Sequence, residues 1–254
     1  ILVTARPQIP HWLDTSRDDV RIVHHDEFFD PGDLPTFNSF AIVGNLYKLP
    51  GVSRRFLYLE DDRLLMRDVV PSDFIAPDGR IRIWVKLQAT NAAADRDDAS
   101  RSPWEGALAW SNHLLDERYG RQRRGSVKQS PLFFDRALFA EFASQWPEEL
   151  RRTSASRFRD RCNLVPEHIF PHWLLHEGKG VKVPLWQVYR DVSYLGCENF
   201  TPVDFFGLLN LRLRRPKWCA LNDNFGERPN PRAVRMIQRF LERIYPRASR
   251  FERR

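Results

Sequence analysis

Residues 56–62 (FLYLEDD) form an apolar run that ends in two adjacent carboxylates. Such a run predicts a buried strand that carries Asp61 and Asp62 to its carboxyl end. In open α/β sheets, ligands bind outside the carboxyl ends of the strands. Two hard oxygen ligands there suit a divalent cation held against a phosphate. A plain turn is the alternative explanation, since Asp residues are also common in turns.

Strand and helix patterns alternate along the 254 residues. Strands separated by helix-sized segments predict an α/β fold with a Rossmann-like, mostly parallel sheet. The strands are predicted at residues 1–4, 20–24, 57–59, 181–188 and 218–221, with an edge strand or hairpin at 81–87 and a loop at 90–102. The helices are predicted at residues 40–49, 104–119, 136–144, 166–176 and 231–245. We expect one domain, in which residues 1–89 and 181–254 form the α/β core, residues 103–176 form a helical insertion, and a helix closes the chain.

The charge pattern limits the classes of partner. The net charge is +7, and most of the 40 basic residues are arginines, which bind phosphate in a bidentate manner. No zinc-finger spacing, RNP-like aromatic strand or basic coiled coil accompanies this charge, so we expect no nucleic-acid partner. A basic face also suits an anionic inner-membrane leaflet.

No run of eighteen apolar residues occurs, and three cysteines lack metal spacing. These features predict a cytoplasmic protein, with peripheral contact to the inner membrane as an option.

Several short motifs, in their order and spacing, resemble the Stealth family of sugar-1-phosphate transferases, whose animal relative is the lysosomal-enzyme N-acetylglucosamine-1-phosphotransferase. Motifs similar to the second conserved region lie at residues 8–14 (QIPHWLD), 22–25 (IVHH), 34–39 (LPTFNS) and 56–62. Those similar to the third lie at 129–131 (QSP), 134–136 (FDR), 146–149 (WPEE) and 156–159 (SRFR). Those similar to the fourth are residues 218–224 (WCALNDN) and the helix of residues 240–251. The family's first conserved region, with an acidic residue at the end of its strand, would precede Ile1, so we expect part of the active site to lie outside this sequence.

The resemblance implies a GT-A-like fold and a specific reaction. In that reaction, a hydroxyl of an acceptor glycan attacks the β-phosphorus of a UDP-sugar in capsule or exopolysaccharide synthesis, and UMP leaves. It also implies that Asp61 and Asp62 hold Mg²⁺ or Mn²⁺. Glu60 stands where the family usually has Asn and adds a third carboxylate. Two alternatives stay open: a metal-dependent glycosyltransferase that releases UDP, and a non-catalytic glycan-binding relative.

Other candidate site residues follow from the same motifs. Arg157 and Arg159, two residues apart, are expected to bind the diphosphate, with a solvated cationic loop as the alternative. Asp223 is a catalytic candidate after a strand, where an Asx turn is the plainer explanation. The candidate donor-binding residues are Gln8, Thr36, Asn38, Ser39 and Asn222. One of Thr36, Asn38 and Ser39 is also expected to cap the start of a helix, which can itself bind an anion.

Gln129 is the main departure from the family motif. The family commonly has a histidine at this position, which is a natural general base for the acceptor hydroxyl, whereas glutamine cannot accept a proton at neutral pH. The alternatives are a variant with another base, an inactivating change, or a shift of one or two residues in the alignment. His168, His172 and His176 are spaced along about 12 Å of helix axis, so we expect ordinary histidines and no shared metal ion.

Overall fold

The structure is a computed structural model that describes residues 1–127 and 131–253. These residues form both strands and helices, and the predicted mixture of α and β elements is confirmed. The strands are β1 Leu2–Thr4, β2 Ile22–His24, β3 Arg55–Tyr58, β4 Arg63–Leu65, β5 Ile81–Ile83, β6 Leu132–Asp135, β7 Gly180–Lys182, β8 Val192–Cys197 and β9 Trp218–Asp223. The helices are α1 Ser39–Asn45, α2 Pro103–Tyr119, α3 Arg136–Ala143, α4 Pro147–Ala155, α5 Pro166–His176, α6 Leu185–Asp191, α7 Thr201–Arg214 and α8 Pro231–Ile244.

The described strands form four small sheets in place of the predicted mostly parallel sheet. β1 pairs with β2 and β5 pairs with β7, both in parallel, whereas β3 and β6 are antiparallel. The largest sheet has the order β4-β9-β8, in which β4 is antiparallel and β8 parallel to β9. Apolar periodicity identifies a strand but not its partner, and the partners of β3 and β4 lie far along the chain. The prediction of one mostly parallel sheet was therefore wrong at the level of strand pairing.

Residues 181–188 also differ from the strand prediction. The strand ends at Lys182, and α6 begins at Leu185. Pro184 lies between them and has a φ of −54°. Proline fixes φ near the helical value and has no backbone N–H to donate to a strand, so it favours the first turn of a helix. Val188, which was part of the predicted strand, is instead a core residue of α6.

Several helices begin and end where the sequence predicts. α2 begins at Pro103 after a capping box in which the Ser102 hydroxyl and the Glu105 carboxylate each accept a backbone N–H, and it ends at Gly120, whose φ is 79°. α8 begins at Pro231, and the Asn230 side chain accepts the N–H of residue 232. The predicted loop at residues 90–102 contains a short 3-10 helix, Ala93–Asp97, which packs against α2.

The main core lies between α1, α3 and α5 and is rich in aromatic side chains. Phe134 of β6 and Phe139 of α3 have no exposed surface and contact Phe170 of α5. Strand β6 lies within residues 103–176, which were predicted to be helical, and it pairs with β3. A second core packs α7 against α8 through Leu208, Leu211 and Phe240. Among the described helices, none is both long and apolar enough to span a lipid bilayer.

Candidate functional site

A cavity of about 260 Å³ lies where several elements meet. Its walls come from the start of α1, the end of β3, the start of α5 and the end of β9, together with parts of α2 and β8. Its polar and charged lining includes Ser39, Tyr58, Glu60, Asp62, Arg63, Thr90, Arg159, Glu167, His168 and Asn222. Residues from distant parts of the sequence thus converge on one concave surface, which is the usual setting of a small-molecule site.

The turn between β3 and β4 places Asp62 in this cavity. The Asp62 carbonyl accepts the backbone N–H of Leu221 at 2.9 Å, which fixes the turn beside β9. The Arg63 Nε donates to the Asp62 carboxylate at 3.2 Å, and a second nitrogen of Arg63 donates to Glu60. Glu60 and Asp62 are therefore held in place by one guanidinium group on their own turn.

A second cavity, of about 250 Å³, adjoins the first. Asp62 and Asn222 line both cavities, whereas Asp61 and Asp223 line only the second. The structure thus brings together the four residues that the sequence placed at two different strand ends. All four line the second cavity, and only Asp62 and Asn222 also line the first.

Arg159 and Arg157 are placed differently, although the sequence predicted that they act together. Arg159 lines the first cavity, and its guanidinium donates to the Ser39 Oγ. Arg157 is exposed and does not line either cavity among the residues that the structure describes. Its carbonyl accepts the N–H of Phe37 at 2.7 Å, and the rings of Phe37 and Phe158 stack at 5.4 Å. These contacts hold residues 157 and 158 against the segment before α1.

Asn38 has no exposed surface, and its hydrogen bonds join the same two segments in the interior. Its Oδ1 accepts the N–H of Phe40 at 3.1 Å, which caps α1. Its amide nitrogen donates to Asn163 Oδ1 at 2.7 Å and to the Ser156 carbonyl at 3.2 Å. These contacts give Asn38 a structural role at the start of α1, and its donor-binding assignment stays a prediction.

Two other predicted donor-binding residues lie away from the cavity lining. Thr36 is buried, and its Oγ1 accepts the N–H of Asn38 at 3.2 Å. Gln8 is exposed in the turn after β1, where its N–H donates to the Ala5 carbonyl at 2.8 Å. Gln129, the position of the family histidine, lies outside the described residues, so its assignment stays a prediction.

Glu167 is a cavity residue that the sequence did not reveal. It lies in the first turn of α5, and its Oε2 is buried without a hydrogen-bond partner among the described residues. Burial, aided by the negative charge of Glu60, raises the pKa of Glu167 to about 7, against the opposing effect of Arg63 and Arg159. An acidic residue in a first helical turn is common because it complements the helix dipole, so its position gave no functional signal.

Two histidines of α5, His168 and His172, are buried and hydrogen-bonded within the fold. His168 Nε2 lies 2.9 Å from Asn112 Oδ1, and His172 Nε2 lies 3.0 Å from the Gly125 carbonyl. Burial lowers the pKa of both imidazoles, to about 4 for His172. In residues 1–127 and 131–253, no group of three or more His, Cys, Asp or Glu residues is arranged to hold a metal ion.

Comparison with known protein families identifies the origin of these motifs. Models of the second, third and fourth conserved regions of Stealth proteins match residues 1–83, 130–176 and 210–254, which together cover more than half of the chain. The chain belongs to the Stealth family. The matched regions contain Asp62, Arg159, Glu167 and Asn222, so the first cavity of this Stealth chain is built from all three regions.

Similar curated proteins are polysaccharide phosphotransferases of bacteria. An exopolysaccharide phosphotransferase of Streptomyces coelicolor is 31% identical over 97% of this Stealth chain and 41% of its own length. The exopolysaccharide phosphotransferase CpsY of Mycobacterium leprae is 27% identical over 93% of the chain and 43% of its own length. A capsular polysaccharide phosphotransferase of Haemophilus influenzae is 30% identical over 72% of the chain and 51% of its own length. The chain therefore spans about half or less of each of these relatives.

The residues of this Stealth chain fit Mg²⁺ bound together with a phosphate. Magnesium is usually held by one or two carboxylates plus substrate phosphates and water, and not by an all-protein cage. Asp62 supplies a carboxylate, and Asn222 supplies an amide oxygen to the same cavities. Asp61 adds a second carboxylate on the side of the second cavity. The donor set is hard and oxygen-rich, as Mg²⁺ or Mn²⁺ requires.

Proposed function

We propose that this Stealth chain transfers a sugar-1-phosphate from a UDP-sugar to a hydroxyl of an acceptor glycan in capsule or exopolysaccharide synthesis. The acceptor oxygen forms a bond to the β-phosphorus, the bond from this phosphorus to the oxygen that bridges the two phosphates breaks, and UMP leaves with that oxygen. The observation that carries the proposal is one cavity lined by a guanidinium group and by carboxylates from separate elements, Arg159, Asp62 and Glu167.

Arg159 suits the diphosphate of the donor. Its Nη2 and Nε both contact Ser39, and its charged carbon lies 5.1 Å from the centre of the Phe40 ring. These contacts fix the guanidinium plane at the start of α1. A fixed guanidinium group stabilises negative charge that develops on a leaving nucleotide without the cost of ordering the side chain during the reaction.

Asp61, Asp62 and Asn222 are the proposed ligands of Mg²⁺ or Mn²⁺. When bound, such an ion neutralises charge on the phosphate oxygens. The fold fixes the positions of these proposed ligands. Arg63 donates a hydrogen bond to the Asp62 carboxylate, and Asn222 lies on β9, which pairs with β4. The amide Oδ1 of Asn222 is neutral, so this site keeps a modest negative charge and still admits the anionic diphosphate.

Glu167 is the proposed general base for the acceptor hydroxyl. A base works best when its pKa lies near the working pH, and the pKa of Glu167 is about 7. Its Oε2 is buried and has no hydrogen-bond partner in residues 1–127 and 131–253. This assignment supplies a proton acceptor that does not depend on Gln129. Asp223, the other carboxylate candidate, lines only the second cavity.

We also propose a GT-A-like fold and a cytoplasmic location. The GT-A-like assignment is supported by the α/β composition and by the acidic turn after β3. The location is supported by the thiols, since Cys162, Cys197 and Cys219 are free cysteines. Free thiols persist in reducing compartments.

Product analysis tests the reaction. The full-length enzyme is incubated with a panel of UDP-sugars, Mg²⁺ and an acceptor glycan, and the released nucleotide is separated by chromatography. We expect UMP, together with a phosphodiester in the glycan that is visible by ³¹P NMR. Release of UDP with no phosphodiester would assign glycosyl transfer instead, and donor binding without turnover would assign a binding role.

A further inference from the structure

The outer face of α7 is apolar and exposed. Phe205, Phe206, Leu209 and Leu213 are 49%, 66%, 37% and 74% exposed, respectively. Their spacing places them on one stripe of the helix, because residues four apart lie on the same face. The opposite face of α7 is also apolar and packs against the core through Leu208. A helix that already buries one apolar face and exposes a second has an outer surface suited to a partner.

The neighbouring helix α8 presents arginines beside this stripe. Arg232, Arg235, Arg239 and Arg243 are three or four residues apart and share one face. With Arg212 of α7, they line a cavity of about 660 Å³, whose apolar wall includes Phe205 and Leu209. Over residues 1–127 and 131–253, none of these five guanidinium groups forms a salt bridge. The acidic residue of α8 is Glu242 alone.

Helix α6 extends the apolar surface at the C-terminal end of α7. The Arg214 side chain of α7 donates to the Tyr189 carbonyl of α6, which brings the two helices together. Trp186 and Tyr189 of α6 are 65% and 46% exposed. Tryptophan and tyrosine favour the boundary between lipid and water, where their rings contact acyl chains and their polar groups stay hydrated.

We propose that the surface formed by the outer faces of α6, α7 and α8 binds an anionic lipid bilayer. The apolar stripe of α7 would enter the boundary between headgroups and acyl chains, and the arginines of α8 would bind lipid phosphates. This inference is independent of the proposed reaction, since none of these residues lines the first two cavities.

Charge complementarity favours a lipid surface over the other possible occupants. A second copy of the chain, docked by the same face, would bring two arginine stripes together and would be opposed by their repulsion. An acidic polysaccharide would satisfy the arginines but would leave the phenylalanine and leucine side chains of α7 in water. An anionic bilayer offers phosphate for the arginines and hydrocarbon for the apolar stripe at the same time.

Vesicle sedimentation tests the inference with defined lipids. The chain is mixed with vesicles of phosphatidylcholine alone or of phosphatidylcholine and phosphatidylglycerol in equal parts. We expect binding to the anionic vesicles, with weaker binding at high salt because surface charges are then screened. Equal binding to both vesicle types, or no binding to either, would overturn the proposal.

Two variants separate the apolar from the electrostatic contribution. Phe206→Ser and Arg239→Glu should each lower partitioning into anionic vesicles, by about fivefold or more for the charge reversal. Arg151→Glu is the matched control, since Arg151 is an exposed arginine of α4 and its reversal changes the net charge equally. Equal losses in Arg239→Glu and Arg151→Glu would show that only the net charge matters and would overturn the assignment to this surface.

The same variants report on the other occupants. A dimer in light scattering that Phe206→Ser dissociates would assign the surface to a second copy of the chain. Binding to an acidic polysaccharide that depends on Arg239 but not on Phe206 would assign it to a polyanion. Either result, without vesicle binding, would replace the lipid assignment. Transfer to a short soluble acceptor should be unchanged in both variants, so a failure of the membrane inference is distinguishable from a failure of the proposed reaction.

Discussion

Arg159 donates two hydrogen bonds to the same hydroxyl oxygen, the Oγ of Ser39, at 2.8 Å from Nη2 and 3.3 Å from Nε. Ser39 is the first residue of α1, so the guanidinium group is fixed at the positive end of a helix. The two residues are 120 positions apart in the sequence. Their contact joins motifs of the second and third conserved regions and defines the positive side of the candidate site.

Replacing Arg159 tests whether its planar fork matters. Arg159→Lys keeps the charge but loses bidentate geometry and the contacts to Ser39, so donor or transition-state binding should fall by about 1–3 kcal/mol. Calorimetry with a UDP-sugar and steady-state kinetics measure the loss. Arg157→Lys is the control and should have little effect, because Arg157 does not line the described cavity. Equal effects of the two substitutions would contradict the assignment.

Asp62→Asn tests the metal site. The amide keeps the shape of the side chain but removes the charge that holds a divalent cation, so metal-dependent donor binding and turnover should both be lost. Calorimetry with and without Mg²⁺ measures binding, and thermal unfolding verifies that the variant is folded. Unchanged turnover would exclude Asp62 as a metal ligand. Asp61→Asn, on the side of the second cavity, shows whether the neighbouring carboxylate takes part.

Glu167→Gln tests the general base. Loss of a base should lower the transfer rate by about 10²–10⁴-fold and leave donor affinity nearly unchanged. In the unsubstituted chain, the rate should rise with pH through a pKa of about 7, because only the ionised carboxylate accepts a proton. A loss of donor affinity equal to the loss of rate would point to donor binding instead.

The raised pKa of Glu167 also predicts a pH dependence of stability. The folded chain binds the Glu167 proton more tightly than the unfolded chain, so this contribution to stability is complete below the unfolded pKa of 4.5 and is lost as pH rises through about 7. Relative to Glu167→Gln, the unsubstituted chain should therefore lose on the order of 1–3 kcal/mol of unfolding free energy between pH 4 and pH 8. Denaturant unfolding at both pH values measures the difference. A constant difference between the two chains would show that Glu167 titrates normally.

Gln129→His tests the position at which the family has a histidine. If Gln129 occupies that position, the chain should bind donor normally, and the substitution should raise the rate. It should also restore transfer activity to the Glu167→Gln variant, with a rate that rises with pH through an imidazole pKa of about 6.5. No gain in either background would show that this position is not close to the acceptor hydroxyl.

Some features of the fold and site were predictable because they depend on local interactions. The helices predicted at residues 104–119, 166–176 and 231–245 are confirmed as α2, α5 and α8. The apolar run before Asp61 correctly predicted a strand, although β3 is only partly buried and not buried as predicted. The order of the motifs also identified the family, because these residues keep their spacing along the chain.

Other features required the tertiary structure. Apolar periodicity does not specify strand partners, so the small mixed sheets could not be distinguished from one parallel sheet. Asn38 was a candidate for donor binding, but its burial and its contacts with Asn163 give it a structural role. Glu167 had an ordinary position in a first helical turn, and only its burial beside Glu60 distinguishes it.

The sequence by itself determined helices α2, α5 and α8, the strand before the carboxylate pair and the family, since each depends on residues that are close together or ordered along the chain. Only the tertiary structure decided which polar groups share a cavity. It placed Arg159 but not Arg157 in the lining of the cavity that Asp62 lines, and it placed Asp61 only in the lining of the second cavity. The physical reason is that burial, pKa and ligand geometry depend on contacts between segments distant in sequence, which local patterns do not specify.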